Sequence, residues 1–274
     1  MTLTLVSPEN KTDTKDSYTL VGMAATDDLD LEAILVILEA MHSDEVLDPN
    51  EGLRARKKRR VRQRISDVAT AMFLAYGFDN VSVARIAAAC EVSEQTVFNY
   101  FPTKESMLFD RSGSTTNAVA EAVRERTSIP LVEAVVQAVV AGFETRRPGA
   151  LDEARQLRLL QLFGEVATGS PALTASRLAE FSRSTDEIAV ALADRIGADP
   201  VDPEVQLAAL VIAGIVRVRQ QSTFHHGRIA TSTAALNAAV HSDLLRAARI
   251  AEPTLTAFDK PRDEGSETEA SHGQ

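Results

Sequence analysis

Residues 86–104, IAAACEVSEQTVFNYFPTK, contain the pattern that decides the fold. Apolar positions three and four residues apart indicate a short helix over 82–90 and a second over 93–101. Glu91-Val92 leaves room for a tight turn between the two helices. Short helices joined in this way predict a helix-turn-helix, in which the second helix enters the major groove of DNA.

Start and stop signals mark the ends of these helices. Ser82, Ser93 and Thr103 are expected N-caps, because their hydroxyls can accept hydrogen bonds from the free N–H groups of a first turn. An amphipathic helix over 64–76, stopped by Gly77, is predicted to brace the pair. The local signals therefore predict a compact three-helix unit with a fourth helix following directly.

The outward face of the second short helix carries side chains that suit DNA. Gln95 and Asn99 can bond adenine edges bidentately, and Thr96 can contact a base or a thymine methyl group. Tyr100 can donate its hydroxyl to a phosphate. Lys104 begins the next helix, where free N–H groups also favour a phosphate. We therefore expect residues 93–101 to form a recognition helix.

A basic cluster precedes the helix-turn-helix. Residues 54–64 contain eight Lys or Arg side chains and no acidic residue, beginning with Arg54, Arg56, Lys57 and Lys58. We expect an arm or a helix start that lies along the phosphate backbone or in the minor groove. The alternative is a charged face that is only solvated.

The net charge of −10 disguises this basic cluster. Residues 1–53 carry 2 basic and 12 acidic groups, residues 54–110 carry 10 and 6, and residues 111–274 carry 17 and 21. The acidic excess therefore belongs to a leader, which we expect to lie outside the fold and to be largely disordered apart from a short helix over 27–42. The leader either folds over the basic cluster and competes with DNA, or is a solvating extension.

The rest of the chain has a helical pattern as far as residue 250, so an all-α protein is predicted. The last two helices, at about 203–223 and 231–250, carry apolar residues on more than one face, which favours packing against a second subunit. We therefore predict four parts: the leader 1–53, a helix-turn-helix DNA-binding domain 54–108, a helical ligand-sensing and dimerisation domain 109–250, and a disordered tail 251–274.

Candidate ligand contacts in the C-terminal domain rest on residue type. Phe143, Phe163 and Phe181 can line an apolar pocket, but core packing explains them equally well. Arg217 interrupts an apolar helix. It is either the counter-charge for an acidic ligand, or it pairs with a carboxylate such as Asp243 or reaches solvent.

Several classes of protein are disfavoured. The single cysteine, Cys90, rules out an intrachain disulfide and any CxxC metal or redox pair, and we expect a buried, inert thiol. The longest apolar run, 207–216, is too short to span a bilayer, so no membrane association is expected. Motifs of hydrolases and nucleotide-binding loops are missing from the sequence. We expect no metal, no cofactor, no enzymatic activity, and a cytoplasmic location on the nucleoid.

The stretch IAAACEVSEQTVFNYFPTKESML, residues 86–108, closely resembles the DNA-binding motif of TetR-type transcriptional regulators. The resemblance covers residues 64–108 and includes the Gly77-Phe78 stop, the V-S-x-x-T-x-F-x-Y-F core and the P-x-K-E-x-x-L ending. It implies a homodimer, held by the last two helices, that binds a palindromic operator and usually represses. By this resemblance, phosphates are contacted by Ser82, Ser93, Tyr100 and Lys104, and bases are approached by Gln95, Thr96 and Phe98.

Two further comparisons with the family pattern refine this expectation. The segment GSPAL at 169–173, with a long helix after it, resembles a subset that senses acyl-CoA or other lipophilic molecules, which implies a lipophilic effector. Phe98 stands where the family often has Tyr, so one hydroxyl contact is missing. Glu94, Phe98 and the net charge support a rival interpretation, a ligand-binding or protein-interaction module of the same fold that has lost specific operator binding.

Overall fold

The computed structural model describes residues 30–40, 52–110, 112–125, 128–144 and 153–259, and within these ranges all regular structure is helical. The all-α prediction is confirmed. None of the helices in these ranges is long and apolar enough to cross a membrane. The helices are α1 (Leu31–Ala40), α2 (Leu53–Tyr76), α3 (Val83–Ala89), α4 (Glu94–Tyr100), α5 (Lys104–Leu108), α6 (Ser112–Arg124), α7 (Leu131–Glu144), α8 (Glu153–Gly169), α9 (Pro171–Ile196), α10 (Pro203–Gly227) and α11 (Thr233–Leu255), followed by a short 3₁₀ turn, Thr256–Phe258.

The predicted start and stop signals lie at the helix ends. The hydroxyls of Ser82, Ser93 and Thr103 each accept from the backbone N–H three residues later, at 3.2, 3.1 and 3.2 Å. Gly77 follows α2 with φ +81°, and Gly197 follows α9 with φ +72°. L-residues with a Cβ rarely adopt such angles, so glycine ends both helices with the least strain.

Helices α2 to α5 enclose the core of the DNA-binding domain. Phe73, Val97 and Phe101 are fully buried, and Phe73 packs against Phe78 with ring centroids 4.9 Å apart. Cys90 joins this core, and burial raises the pKa of its thiol to about 11, which keeps the thiol protonated at neutral pH. The predicted burial of Cys90 is confirmed. Because α4 buries Val97 and Phe101, its opposite face is left for contacts outside the domain.

The C-terminal domain is built around α9, α10 and α11. Its fully buried side chains include Ile188 and Leu192 on α9, Ile212 on α10 and Leu236 on α11. These side chains form one continuous apolar cluster that also receives residues from α6, α7 and α8. The domain therefore has its own core, separate from the one beneath the helix-turn-helix.

The disordered tail predicted from residue 251 begins too early. Helix α11 continues to Leu255, and Phe258 is only 5 % exposed. The buried Arg195 donates to the Phe258 carbonyl at 2.9 Å, and the Asp259 carboxylate accepts from the Leu131 N–H at 2.7 Å. These long-range bonds hold 251–259 on the domain, whereas 260–274 lies outside the described residues.

Part of the predicted leader also belongs to the fold. Helix α1 lies within the expected 27–42, and Ile34, Ile37 and Leu38 are at most 6 % exposed. The expectation that the leader lies outside the fold is therefore wrong for α1, because this helix buries its apolar face between the two domains. Residues 1–29 and 41–51 lie outside the described residues. The buried partners of α1 are four apolar side chains of α2 and α8: Ala71, Leu74, Leu159 and Leu162.

Candidate nucleic-acid interface and effector pocket

The exposed face of α4 groups three of the predicted base contacts. Gln95 and Asn99 are exposed one helical turn apart, and the Gln95 Nε2 donates to Asn99 Oδ1 at 3.2 Å. Phe98 lies beside them and is 44 % exposed. Residues three and four apart share one side of a helix. The structure therefore places an amide pair and an aromatic ring on one strip that faces solvent.

The predicted hydroxyl contacts have local partners. Ser82 and Ser93 are exposed caps of α3 and α4. Thr96 is half-buried, and its hydroxyl lies 2.8 Å from the Ser93 hydroxyl, so these two groups orient each other. Tyr100 is half-buried, and its ring packs against the core beneath α4. Thr96 and Tyr100 lie on α4 beside the strip of Gln95, Phe98 and Asn99, and Ser93 caps the same helix.

Lys104 is anchored to its own domain. Its Nζ donates to the Phe78 carbonyl at 2.6 Å and lies 4.1 Å from the centroid of the Phe78 ring. Burial lowers the pKa of the Lys104 ammonium, while Asp79 and Glu105 act in the opposite direction. An ammonium has three N–H donors, so the bond to Phe78 is compatible with the predicted phosphate contact. It also ties the loop after α2 to the start of α5.

The basic cluster forms the first turns of α2. The helix begins at Leu53, eleven residues before the predicted start at 64, so the cluster is a helix start rather than an extended arm. Arg54, Lys57 and Lys58 are exposed, and Arg56 is half-buried. These side chains are therefore held on a rigid element that leads into the helix-turn-helix.

Arg62 has a structural role that the sequence did not reveal. Its Nε donates to Asp110 Oδ1 at 3.0 Å, and its Nη1 donates to the Tyr100 carbonyl at 2.6 Å. The guanidinium also stacks on the Phe101 ring, 4.4 Å from the centroid. Asp110 lies between α5 and α6, at the start of the predicted C-terminal domain, so Arg62 joins α2, the end of α4 and the domain junction.

The turn between α3 and α4 contains a strained residue. Glu91 adopts φ +57°, the left-handed region that favours glycine. The turn is closed by two backbone bonds, from Glu91 N to Ala88 O at 3.1 Å and from Val92 N to Ala87 O at 3.0 Å. An L-residue in this conformation costs about 1–2 kcal/mol, so the turn stores local strain.

We expect Glu91→Gly to raise the free energy of unfolding by about 0.5–1 kcal/mol. Glycine relieves the backbone strain of the folded state, and this gain should exceed the destabilisation that comes from the larger conformational entropy of glycine in the unfolded chain. Urea unfolding followed by circular dichroism measures this difference. Glu91→Gln is the matched control, since it removes the charge and keeps the strained φ, and its stability should stay near that of the wild type. Equal stabilisation by Gln and Gly would show that charge, not backbone strain, is responsible.

A cavity of about 600 Å³ lies between the DNA-binding domain and the C-terminal helices. Phe163, Phe181 and Arg217 line it, whereas the Phe143 side chain lies outside the described part of the chain. Asp243, proposed above as a partner of Arg217, instead accepts from Ser222 at 2.7 Å and contacts His226. Of the alternatives for Arg217, a pair with Asp243 is not formed, whereas the side chain is exposed, as expected if it reaches solvent; it also lines the cavity and so stays a candidate ligand contact.

Sequence reasoning missed Arg177, which lines the same cavity from α9. Its buried Nε has no hydrogen-bond partner among the described residues. Burial, followed by the nearby charge of Arg217, lowers the pKa of Arg177. No local sequence signal distinguishes this arginine from the exposed ones, because its surroundings come from helices distant in the chain.

The cavity also reaches the helix that carries the basic cluster. Ser66, Thr70 and Leu74 of α2 line it, as does Leu38 of α1. The buried Ser66 hydroxyl donates to the Met107 carbonyl at 3.1 Å, which joins the cavity wall to α5. A molecule in the cavity would thus contact the same helix that begins with Arg54 and its neighbours.

Comparisons with known proteins agree with this arrangement. The family model described as bacterial regulatory proteins, tetR family, matches residues 65–110, and the model described as MftR C-terminal domain matches residues 129–247. The HTH-type transcriptional regulator TcmR of Streptomyces glaucescens is 31 % identical over 154 residues, 54 % of this chain and 63 % of TcmR. The protein named MftR from Mycobacterium tuberculosis is 37 % identical over 59 residues, 22 % of this chain and 30 % of MftR.

The chain thus spans less than two thirds of the length of either relative.

Among solved structures, Thermus thermophilus FadR, a TetR family transcriptional repressor in complex with lauroyl-CoA, is 23 % identical to this chain. Its TM-score is 0.42, over 69 % of this chain and 92 % of FadR. The two family models match 46 and 119 of the 274 residues, more than half together. This chain belongs to the TetR family of bacterial transcriptional regulators, with a helix-turn-helix DNA-binding domain followed by a helical ligand-binding domain.

Proposed function

We propose that the protein is a ligand-responsive repressor that binds a palindromic operator as a homodimer. The exposed strip of α4, formed by Gln95, Phe98 and Asn99, is the observation that carries this proposal. Paired amides suit adenine edges, and an exposed phenyl ring suits thymine methyl groups in the major groove. Regulators of this family are typically ligand-responsive repressors and are generally not enzymes.

The composition of the first turns of α2 supports DNA binding. Eight cations lie between Arg54 and Arg64, and the first turn contains no acidic residue. Cations at a helix N-terminus oppose the helix dipole, and neighbouring like charges repel each other. This arrangement is unfavourable for the isolated helix and favourable beside phosphates, so it supports the functional interpretation over a merely solvated face.

Exposed apolar side chains on α10 and α11 support a homodimer through these helices. Leu207 and Leu210 on α10 are 58 % and 46 % exposed, and Leu245 and Ile250 on α11 are 46 % and 82 % exposed. Apolar groups gathered on adjacent helices mark interaction surfaces. A second copy placed there would present two recognition helices, as successive major grooves about 34–36 Å apart require.

The cavity supplies a route for control by an effector. Its walls combine α2, which carries the basic cluster, with α9 and α10 of the C-terminal domain. A ligand shifts an equilibrium between two domain arrangements only if it binds one of them more tightly. Because α2 forms part of the wall, a bound molecule can favour an arrangement in which the two recognition helices no longer match the operator.

A rival function is a module of the same fold that no longer binds a specific operator. Glu94 lies exposed in the first turn of α4, where its charge opposes phosphates, and Phe98 lacks a hydroxyl. Selection of tight-binding sequences from a random duplex library separates the two functions. Enrichment of a palindrome bound by two copies supports the repressor, and no duplex bound more tightly than random DNA supports the rival.

On the selected operator, we expect Asn99→Ala to lower specific affinity by about 5- to 150-fold for each half-site, since a bidentate base contact contributes about 1–3 kcal/mol of discrimination. Affinity for random DNA should stay unchanged, because phosphate contacts remain. Fluorescence anisotropy with both duplexes measures the two values. Tyr100→Phe is the matched comparison. If the Tyr100 hydroxyl contacts a phosphate, this substitution should lower the affinity for the operator and for random DNA by the same factor. Equal losses on both duplexes for Asn99→Ala would contradict its assignment as a base contact.

A further inference from the structure

Three arginines line the cavity, Arg177, Arg217 and Arg219, and the charge of Arg217 acts on Arg177. Arg177 projects from α9 and Arg217 from α10, and both line the cavity. The Arg217 guanidinium lies 5.4 Å from the centroid of the Phe181 ring, and the buried Nε of Arg177 lacks a hydrogen-bond partner in the described part of the chain. Most buried donors in folded proteins are paired. An arginine whose Nε is not paired therefore points to a partner that binds from outside.

The carboxylates of the cavity wall are engaged with other groups. Glu180 pairs with Arg183, and Asp67 accepts from the Gln63 side chain at 3.2 Å. The dominant effects on Arg177 are burial and the like charge of Arg217, which both lower its pKa. The wall thus brings two cations together, an arrangement that an anion would stabilise.

The remaining walls are largely apolar. They include Leu159, Phe163, Leu178 and Phe224, and the volume of about 600 Å³ falls in the range of pockets that hold drug-sized molecules. Guanidinium groups match oxyanions in charge and geometry. We propose that the effector is a lipophilic molecule with one oxyanion, which Arg177 and Arg217 bind while its apolar body packs among the phenylalanines and leucines. This inference rests on the proposed role of the cavity as the effector site.

A matched pair of fluorescent probes tests the proposal. 8-Anilinonaphthalene-1-sulfonate (ANS) and N-phenyl-1-naphthylamine differ only by a sulfonate, and both become fluorescent in apolar surroundings. We expect the full chain to bind ANS at least about 10-fold more tightly than it binds N-phenyl-1-naphthylamine. Arg177→Met should lower the affinity for ANS by about 10- to 100-fold, the range for one hydrogen bond to a charged group, and leave the affinity for the neutral probe nearly unchanged. Arg217→Met should likewise weaken the binding of ANS more than that of the neutral probe, because Arg217 is the second group proposed to bind the oxyanion.

Controls separate the binding site from general effects. Arg228→Met removes one exposed charge outside the cavity wall and should leave the preference for ANS intact. Thermal unfolding of Arg177→Met should give a Tm equal to or above that of the wild type, since an unpaired buried donor is removed. Displacement of bound ANS by decanoate or by decyl phosphate distinguishes a carboxylate from a phosphate headgroup, the better competitor identifying it.

Three results would overturn the proposal: equal affinity for the two probes, no binding of either probe, or a parallel loss of both in Arg177→Met. The measurement uses no DNA, so its outcome is independent of operator binding. If the chain prefers ANS but selects no operator, the inference about the effector stands and the proposed repressor function is contradicted. If the chain selects an operator but shows no preference for ANS over the neutral probe, only the inference about the effector is contradicted.

Discussion

Replacement of Arg54, Arg56, Lys57 and Lys58 by alanine is expected to remove most of the affinity for DNA of any sequence. Each lost phosphate contact lowers the slope of log affinity against log salt by about 0.9 on duplex DNA, so four contacts change it by up to about 3.6 for each protomer. At physiological salt the affinity should fall by orders of magnitude. Titration of one labelled duplex at several salt concentrations measures both quantities.

The fold of this variant should be intact, because Arg54, Lys57 and Lys58 are exposed, Arg56 is only half-buried, and alanine favours helix. A variant with Arg54→Lys and Arg56→Lys is the matched control, since it keeps every charge and should keep the salt slope. An unchanged slope in the alanine variant would show that the basic cluster is only a solvated face. Arg62 is left out of the set because it holds the domain junction.

Ile34→Ala is expected to lower the free energy of unfolding by about 2–5 kcal/mol, the range for truncation of a large aliphatic side chain in a core. Ile34 is fully buried in α1, and its neighbours include Leu74 of α2 and Leu159 of α8. The alanine variant leaves a cavity between the two domains. Urea denaturation of the full chain measures the loss.

Val36→Ala is the matched control on the same helix, since Val36 is 59 % exposed and its truncation should change stability by less than about 0.5 kcal/mol. Similar stability for Ile34→Ala and Val36→Ala would contradict the docking of α1. Deletion of residues 1–50 is a poor test of charge competition with DNA, because it also removes α1.

The docking of α1 changes the question posed by the acidic leader. The net charge of the leader alone predicted either a solvating extension or a segment that competes with DNA for the basic cluster. The buried face of α1 instead places part of the leader against both domains, with Leu38 in the cavity wall. A substitution on α1 can therefore alter the shape of the cavity and the position of α2 together.

Local signals in the sequence were sufficient for the helix-turn-helix. Ser82, Ser93 and Thr103 cap their helices through hydrogen bonds that span three residues, and Gly77 ends α2 through its own backbone angle. Such interactions depend on neighbours in the chain, so sequence patterns record them. The exposed strip of α4 followed directly, because a helix that buries Val97 must present Gln95 and Asn99 on its other side.

Packing between distant segments was hidden from the sequence. Leu131 and Asp259 are joined by a hydrogen bond across the domain, and this contact turns a predicted tail into part of the fold. Ile34 shows the same effect, since a short amphipathic helix can be predicted without any indication of the surface that covers it. Burial is a property of the partner surface as much as of the segment itself.

The chain alone thus specified an all-α regulator with a DNA-binding unit, because caps, glycine stops and apolar spacing act over a few residues. Tertiary structure decided which charges act where. It assigned Arg62 to the domain junction and brought Arg177 beside Arg217 in an apolar cavity. The physical reason is that a charge takes its role from its surroundings, and the groups around a buried charge are supplied by helices far apart in sequence.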